Sequence, residues 1–346
     1  MKAVDTTSLS GRTARPLHVT RLGFGGAPLG NLYRGLTEEE AQATLAAAFA
    51  AGVKLFDTAP LYGLGRSEER FGVAIERAGR EGVVLSTKIG RLLVDGPTDE
   101  KWKDFFIDAP EKQVVYDYTY DGVMRSHESS LQRLGVAAVD ILLVHDVDVT
   151  THGSQSVADA KVRELFDRGG YRALTELKAA GRIAAIGAGV NEWQACEALL
   201  GEADFDCFLL AGRYTLIEQE ALDSFLPTCV ERDVGIILGG PYNSGILATG
   251  AVEGARYNYH PAPPEIMERV GRIESVCQRH GVTMAAAALQ FVLAHPAVKT
   301  IIPGAMAAQE VRQNVALLEE TIPPALWADL KEADLLRNDA PVPHSP

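Results

Sequence analysis

Four residues stand where proton chemistry could be done. Asp57 sits at the end of the apolar run VKLFDT and Tyr62 follows it by five positions. Lys88 ends VVLSTK, and His145 ends VDILLVH. A phenol with an ordinary pKa near ~10 is a poor acid or base at neutral pH. A lysine cation beside it favours the phenolate, and an aspartate can hold that lysine charged and in place. A histidine can orient a carbonyl or hydroxyl group by hydrogen bonding. Such a set donates a proton to a carbonyl oxygen or takes one from an alcohol. Taken singly, each residue has a plainer reading: the aspartate as a cap, the lysine and histidine as hydrogen-bonded surface groups. At the ends of three neighbouring strands they converge on one pocket. The pattern ligates no metal and pairs no nucleophile with a base, so the proton transfer must be coupled to a hydride carrier.

The elements that would position them follow from the hydropathy pattern. Short, near-continuously apolar runs at 20–25, 53–58, 83–88, 139–145, 183–190, 205–212, 234–240 and 298–304 read as parallel strands buried on both faces. Helix signals lie between them. Thr37 with Glu40 three residues on forms an N-terminal cap, and that helix stops at Gly52. Ser67 opens another, with Glu68 and Glu69 in the first turn, and the segment Thr283–His295 stops at Pro296. Eight strands alternating with helices predict an α/β fold, a (β/α)8 barrel occupying residues 1–346 as one domain. An open doubly wound sheet stays as the rival, because a strand count does not establish closure. Residues 5–19 suit a hairpin closing the barrel bottom, and 337–346 reads as a loose tail. The connections 89–120 and 241–263 are long enough to be lids or binding loops at the C-terminal face.

Composition removes several other functions. With 33 Lys+Arg against 46 Asp+Glu, the net charge of −13 argues against nucleic acid and anionic membranes as partners. The four cysteines, Cys196, Cys207, Cys229 and Cys277, contain no C-x-x-C pair, so neither a metal site nor a disulfide framework is indicated. Met1–Arg15 lacks an apolar signal core, which leads us to expect a cytoplasmic protein acting on a small molecule. Oligomeric state is not legible.

The stretch LFDTAPLYGLGRSEERFG, followed by STKIG and LLVHD, resembles the aldo-keto reductases over roughly residues 9–335. The resemblance implies a barrel that binds a nicotinamide cofactor without a Rossmann domain. It also implies four roles: Tyr62 as general acid/base, Lys88 lowering its pKa, Asp57 paired to Lys88, and His145 orienting substrate. VYDYTYDGVMRS, SLQRLGV and LLAGRYTLIEQ are similar to the sugar dehydrogenase branch, which includes D-threo-aldose 1-dehydrogenases and L-fucose and L-galactose dehydrogenases. Pyridoxal 4-dehydrogenase is similar as well. The activity implied is oxidation of a cyclic aldose at C1 to its lactone. The alternatives are the same chemistry on pyridoxal, reduction of aldehydes or ketones, or a non-catalytic nicotinamide-binding subunit.

Gly23-Phe24-Gly25-Gly26 is not a dinucleotide fingerprint, because Pro28 holds the third glycine's place and no helix follows directly. The resemblance instead brings Gly26 and Ala27 to the nicotinamide end by backbone, and Asn191 to its carboxamide. Asn191 is equally consistent with a helix cap ahead of Glu192. Gly240, Asn243, Ser244 and Gly245 follow the seventh strand, where side-chain-poor backbone can cradle a pyrophosphate or form an ordinary turn. After the eighth strand come Gly304, Gln309, Gln313 and Asn314, the last two matching an adenine-binding pair in relatives. Glu310 stands there without a matched basic clamp for a 2′-phosphate, which predicts NAD rather than NADP. Two departures from the family are visible. Leu238 and Gly239 stand where relatives stack a tyrosine, and Leu210 or Ala211 where they carry a glutamine. The ring is then held by Arg213, Tyr214 or Tyr242. Trp102, Phe106 and Arg213, with Tyr62 and His145, are the expected substrate contacts; Trp102 and Phe106 serve equally well as loop packing.

Overall fold

Residues 2–343 are described by the computed structural model. Eight parallel strands form one sheet: β1 (Phe24–Gly25), β2 (Leu55–Asp57), β3 (Val84–Ile89), β4 (Ile141–His145), β5 (Ala185–Val190), β6 (Cys207–Ala211), β7 (Gly235–Gly239) and β8 (Val298–Ile302). Each pairs with its sequence neighbour, and the seam between β8 and β1 is closed by the bridges Leu22 to Ile301 and Gly25 to Gly304. Closure decides against the open doubly wound sheet. The fold is a (β/α)8 barrel.

The strands are short because the barrel interior needs only a few inward residues from each. Leu55, Val84, Ile141, Leu143, Leu209 and Ile237 fill it. Leu9, Leu17 and Val19 join that cluster from below, where Thr6–Ser8 pairs antiparallel with His18–Thr20. The outer core lies between the sheet and the helices. Thr37 and Glu40 make a reciprocal capping box on the helix Glu38–Ala50: the Glu40 amide donates to Thr37 Oγ1 at 3.2 Å and the Thr37 amide to Glu40 at 2.8 Å.

Three expectations are corrected. The helix Arg66–Ala78 is entered through Gly65 at φ 100°, and Ser67 lies inside it, its hydroxyl donating to the Gly26 carbonyl at 2.8 Å. A left-handed glycine turns the chain into the helix, which therefore starts before Ser67. The connection 89–120 is structured: Arg91–Asp95 pairs antiparallel with Lys112–Tyr116 around the short helix Glu100–Phe105. Residues 337–340 are not loose. Arg337 is ion-paired to Asp223 and Asp339, its amide donates to Gln219, and Ala340 is buried. Residues 344–346 of the expected tail lie outside the described residues. Among the described residues, no helix is long and apolar enough to cross a membrane.

Candidate active site

Strand register gathers the reactive residues. Asp57 lies opposite Ser86, Lys88 opposite Leu143, and His145 opposite Gly189. Side chains two apart on a strand share a face, so each strand carries its inward polar residue one step further up the barrel wall. Gly189 leaves room for the lysine: a Cβ there would stand 3.2 Å from Lys88 Cε. Lys88 donates to Asp57 at 2.6 Å and to the Thr58 carbonyl at 2.9 Å, and Ser86 donates to the other Asp57 oxygen at 2.9 Å. Both partners of the ion pair are fully buried. Tyr62 lies in the loop after β2, half-buried, with the Lys88 ammonium 4.7 Å from its ring centroid. The His145 ring meets it edge-on at 5.9 Å. The four residues are brought together.

The electrostatics differ from expectation at Tyr62. Burial, then the charges of Asp57 and Asp146, push the phenol well above its ordinary range, with only Arg91 acting against them. The sequence predicts a phenol lowered by Lys88. The lysine's charge is instead committed to Asp57, and desolvation of a phenolate outweighs what remains. Burial likewise raises the Asp57 carboxyl, against the opposing pull of Lys88 and Ser86. His145 is driven well below the usual imidazole value by burial and by the nearby Arg91 and Lys88 cations. It is therefore a neutral ring, and its Nδ1 is buried without a partner.

Two cavities meet at Tyr62. The first, about 330 Å³, is lined both by polar residues, among them Lys88, Arg91, His145, Asp146 and Asn191, and by the aromatic rings of Trp102, Phe105, Phe106, Tyr116 and Tyr259. Trp102 and Phe106 line it and also pack with Leu61 and Leu64, their rings inclined 28° to one another. The second cavity, about 350 Å³, is a groove containing Gly26, Ala27, Asp57, Gly240, Asn243, Ser244, Gly245 and Gly304.

This groove suits a dinucleotide on two observations. Gly240, Asn243, Ser244 and Gly245 all have positive φ, between 45° and 101°, so the backbone curls into a concave turn. No heavy atom lies within 4 Å of a Cβ built on Gly245. Asn243 donates its amide to the Gly212 carbonyl at 3.0 Å, while its Oδ1 is buried with no donor to accept from. A ligand hydroxyl would satisfy it.

Other expected contacts are displaced. Gln309 and Gln313 are exposed on the helix Ala308–Glu319 and do not line the groove, and Asn314 faces inward to accept from the Tyr242 hydroxyl at 2.8 Å. Arg213 belongs to the groove rather than to the aromatic cavity, its guanidinium held by Asn258 at 2.6 Å. Tyr214 is fully buried against Phe291 and His295, so it holds no ring in the groove; Tyr242 does line it. Asn191 caps no helix, since Glu192 occupies that position, and its side chain donates to Asp146 at 3.2 Å.

The sequence reading missed Arg91 and Asp146. Arg91 is ion-paired to Asp146, which stands at φ 45°, a left-handed conformation that costs a non-glycine residue about 1–2 kcal/mol. Tyr118 fixes the turn, donating to the carbonyls of His145 and Asp146 at 2.7 and 3.0 Å. The signal was present, because Asp146 directly follows His145 and Arg91 follows Lys88 by three.

The chain matches the model of the aldo/keto reductase family over residues 21–335. It is 41 % identical over 349 aligned residues to a pyridoxal 4-dehydrogenase of Microbacterium luteolum, covering 97 % of this chain and 99 % of that protein. Identity to a D-threo-aldose 1-dehydrogenase of a Pseudomonas species is 37 %, covering 93 % and 96 %. Among solved structures, the glycerol dehydrogenase of Gluconobacter oxydans superposes with a TM-score of 0.73 at 21 % identity, covering 99 % and 98 % of the two chains.

Proposed function

The chain belongs to the aldo/keto reductase family, an oxidoreductase family using nicotinamide cofactors, and from that premise we propose that it oxidises a cyclic hemiacetal to a lactone with NAD. The substrate favoured is an aldopyranose of the L-fucose, D-arabinose or L-galactose type, reacting at C1. The observation that carries this reading is the cavity at Tyr62, lined by both hydrogen-bonding side chains and aromatic rings. A sugar ring presents hydroxyls at its edge and C–H groups on its face, and can use both kinds of lining.

In this reading Tyr62 takes the proton from the anomeric hydroxyl, and gives it back to the carbonyl oxygen in reverse. Lys88 stands over the Tyr62 ring, and Asp57 fixes that lysine there. Neutral His145 would orient the hydroxyl without competing for its proton. A bound nicotinamide supplies the hydride acceptor. Gly26, Ala27, Gly240, Asn243, Ser244, Gly245 and Gly304 would hold it, with Asn191 beyond Tyr62.

NAD is preferred over NADP because the groove offers a 2′-phosphate no free cation. Among its described lining residues Arg213 is the only cation; it donates to Asn258 and its charge is faced by Glu218 at 3.9 Å. At the groove's Met306 end, the Glu310 carboxylate accepts the Met306 amide at 2.7 Å, placing negative charge there.

A second reading is oxidation of the internal hemiacetal of pyridoxal. The nearly parallel Trp102 and Phe106 rings and the buried Arg91 cation suit a flat ring with an ionised oxygen, and the M. luteolum relative bears that name. Initial rates of NADH formation with L-fucose, D-arabinose, L-galactose and pyridoxal decide between them. Turnover of an aldose identifies the sugar reading, and turnover of pyridoxal alone the second. Inactivity on all four overturns both.

A further inference from the structure

A buried guanidinium stands beside His145 with two of its three nitrogens unpartnered. Arg91 opens the strand Arg91–Asp95, is 2 % exposed, and bonds Asp146 through one terminal nitrogen, Nη2. Its Nε and Nη1 are buried with no partner. An arginine cannot shed its proton, so the cost of burying those donors is not relieved by neutralisation. Trp102 and Tyr116 cover the cation, their ring centroids 5.5 and 5.3 Å from its central carbon. Those rings stabilise the charge but accept no directed hydrogen bond of ordinary strength. Asp146 is spoken for on both oxygens: Oδ2 meets Arg91 and lies 3.3 Å from His145 Nε2, and Oδ1 accepts from Asn191. The aspartate thus anchors the guanidinium at the cavity it lines, with Nε and Nη1 buried behind that lining and unpartnered.

We propose that Arg91, anchored by Asp146, binds a hydrogen-bond-accepting oxygen on the substrate ring near the reacting carbon, and so selects oxygenated substrates over plain aldehydes. The planar fork suits one ionised oxygen or two adjacent hydroxyls, chemistry common to a phenolic ring oxygen and a sugar diol. The inference rests on the hemiacetal reading for its choice of ring substrates, though not for the oxygen contact itself.

The test compares matched substrates that differ by one oxygen. Wild type, Arg91→Gln and Arg91→Lys are assayed with an aldose against its 2-deoxy analogue, with pyridoxal against 3-deoxypyridoxal, and, in the reductive direction with NADH, with lactaldehyde against propionaldehyde. NADH binding by fluorescence confirms that each variant is folded. Wild type is expected to favour the oxygenated member of at least one pair about 10- to 100-fold in kcat/KM, the range for a hydrogen bond to a charged group. Arg91→Gln abolishes that preference by lowering the oxygenated substrate alone, mainly through KM, and Arg91→Lys recovers part of it. The pair that responds identifies the oxygen: the sugar hydroxyl or the phenolic oxygen. Equal loss on both members of every pair, or no loss, overturns the proposal by assigning Arg91 a purely structural role. If no cyclic hemiacetal reacts with wild type, the hemiacetal reading fails, while the lactaldehyde pair still tests Arg91. Should Arg91→Gln not fold, Arg91→Lys and the wild-type preferences decide: no wild-type preference overturns the proposal, as does a preference untouched by Arg91→Lys.

Discussion

At the scale of single residues, the active site holds a tyrosine that keeps its proton. Burial and two carboxylates raise Tyr62, and the neighbouring lysine is bound to Asp57. Oxidation of an alcohol needs the phenolate, so its rate is expected to climb with pH through the alkaline range, without levelling near neutrality. Reduction of the corresponding carbonyl draws on the phenol and stays flat until Tyr62 ionises. A pH series of kcat/KM in both directions checks this; an oxidation profile flat above about pH 7 contradicts it. Removing the hydroxyl in Tyr62→Phe is expected to cut kcat by about 1,000-fold or more while the Kd for NADH moves less than about twofold. The convergence of Asp57, Lys88 and His145 was legible because each ends an apolar strand, with Tyr62 in the loop just after Asp57; the roles proposed for them came with the family resemblance. The charge state of Tyr62 was not legible, since it depends on which carboxylate takes the lysine and on how much water the loops exclude.

At the scale of elements, the strands were legible and the long loops were not. Near-continuous apolar runs mark strands buried on both faces, and Thr37 with Glu40 marks a helix start wherever it occurs. The segment 89–120 alternates less cleanly, because its hairpin is only partly buried and its helix is six residues long. That insertion delivers Trp102 and Tyr116 to the cavity. Trp102→Ala is expected to raise KM about tenfold with little change in kcat, since it removes a wall without touching the proton path; steady-state kinetics distinguish this from a fall in kcat. Another loop residue ties stability to pH. His295 is buried where its Nδ1 accepts the Ala297 amide at 3.2 Å, and burial lowers it to about 4. Its folded value lies below its unfolded value of about 6.5, so its contribution is intact above that pH and is lost as pH falls toward the folded value. Between about pH 7 and pH 5 wild type should lose about 2 kcal/mol more stability than His295→Asn, measured by denaturant unfolding at both pH values. Equal losses would show that His295 is not held neutral.

At the scale of the whole molecule, the barrel was legible from strand count and rhythm, and its closure required the contacts between β1 and β8 that no local pattern encodes. The cofactor groove was half legible. The loop 240–245 could be found from its glycine and asparagine content, whereas Gln309 and Gln313 could be placed on a helix but not aimed. The net charge of −13 has a local expression in that groove, where Glu310 stands near the Met306 end and the lining cation Arg213 is faced by Glu218. Cofactor and substrate come together in one measurement: kcat/KM for lactone formation from an aldose, followed by NADH or NADPH absorbance, with NAD and NADP in parallel. Lactone formation is expected with kcat/KM for NAD at least about tenfold above that for NADP, the cost of one uncompensated phosphate contact. A clear NADP advantage, or turnover restricted to plain aldehydes with no lactone formed, would contradict that expectation.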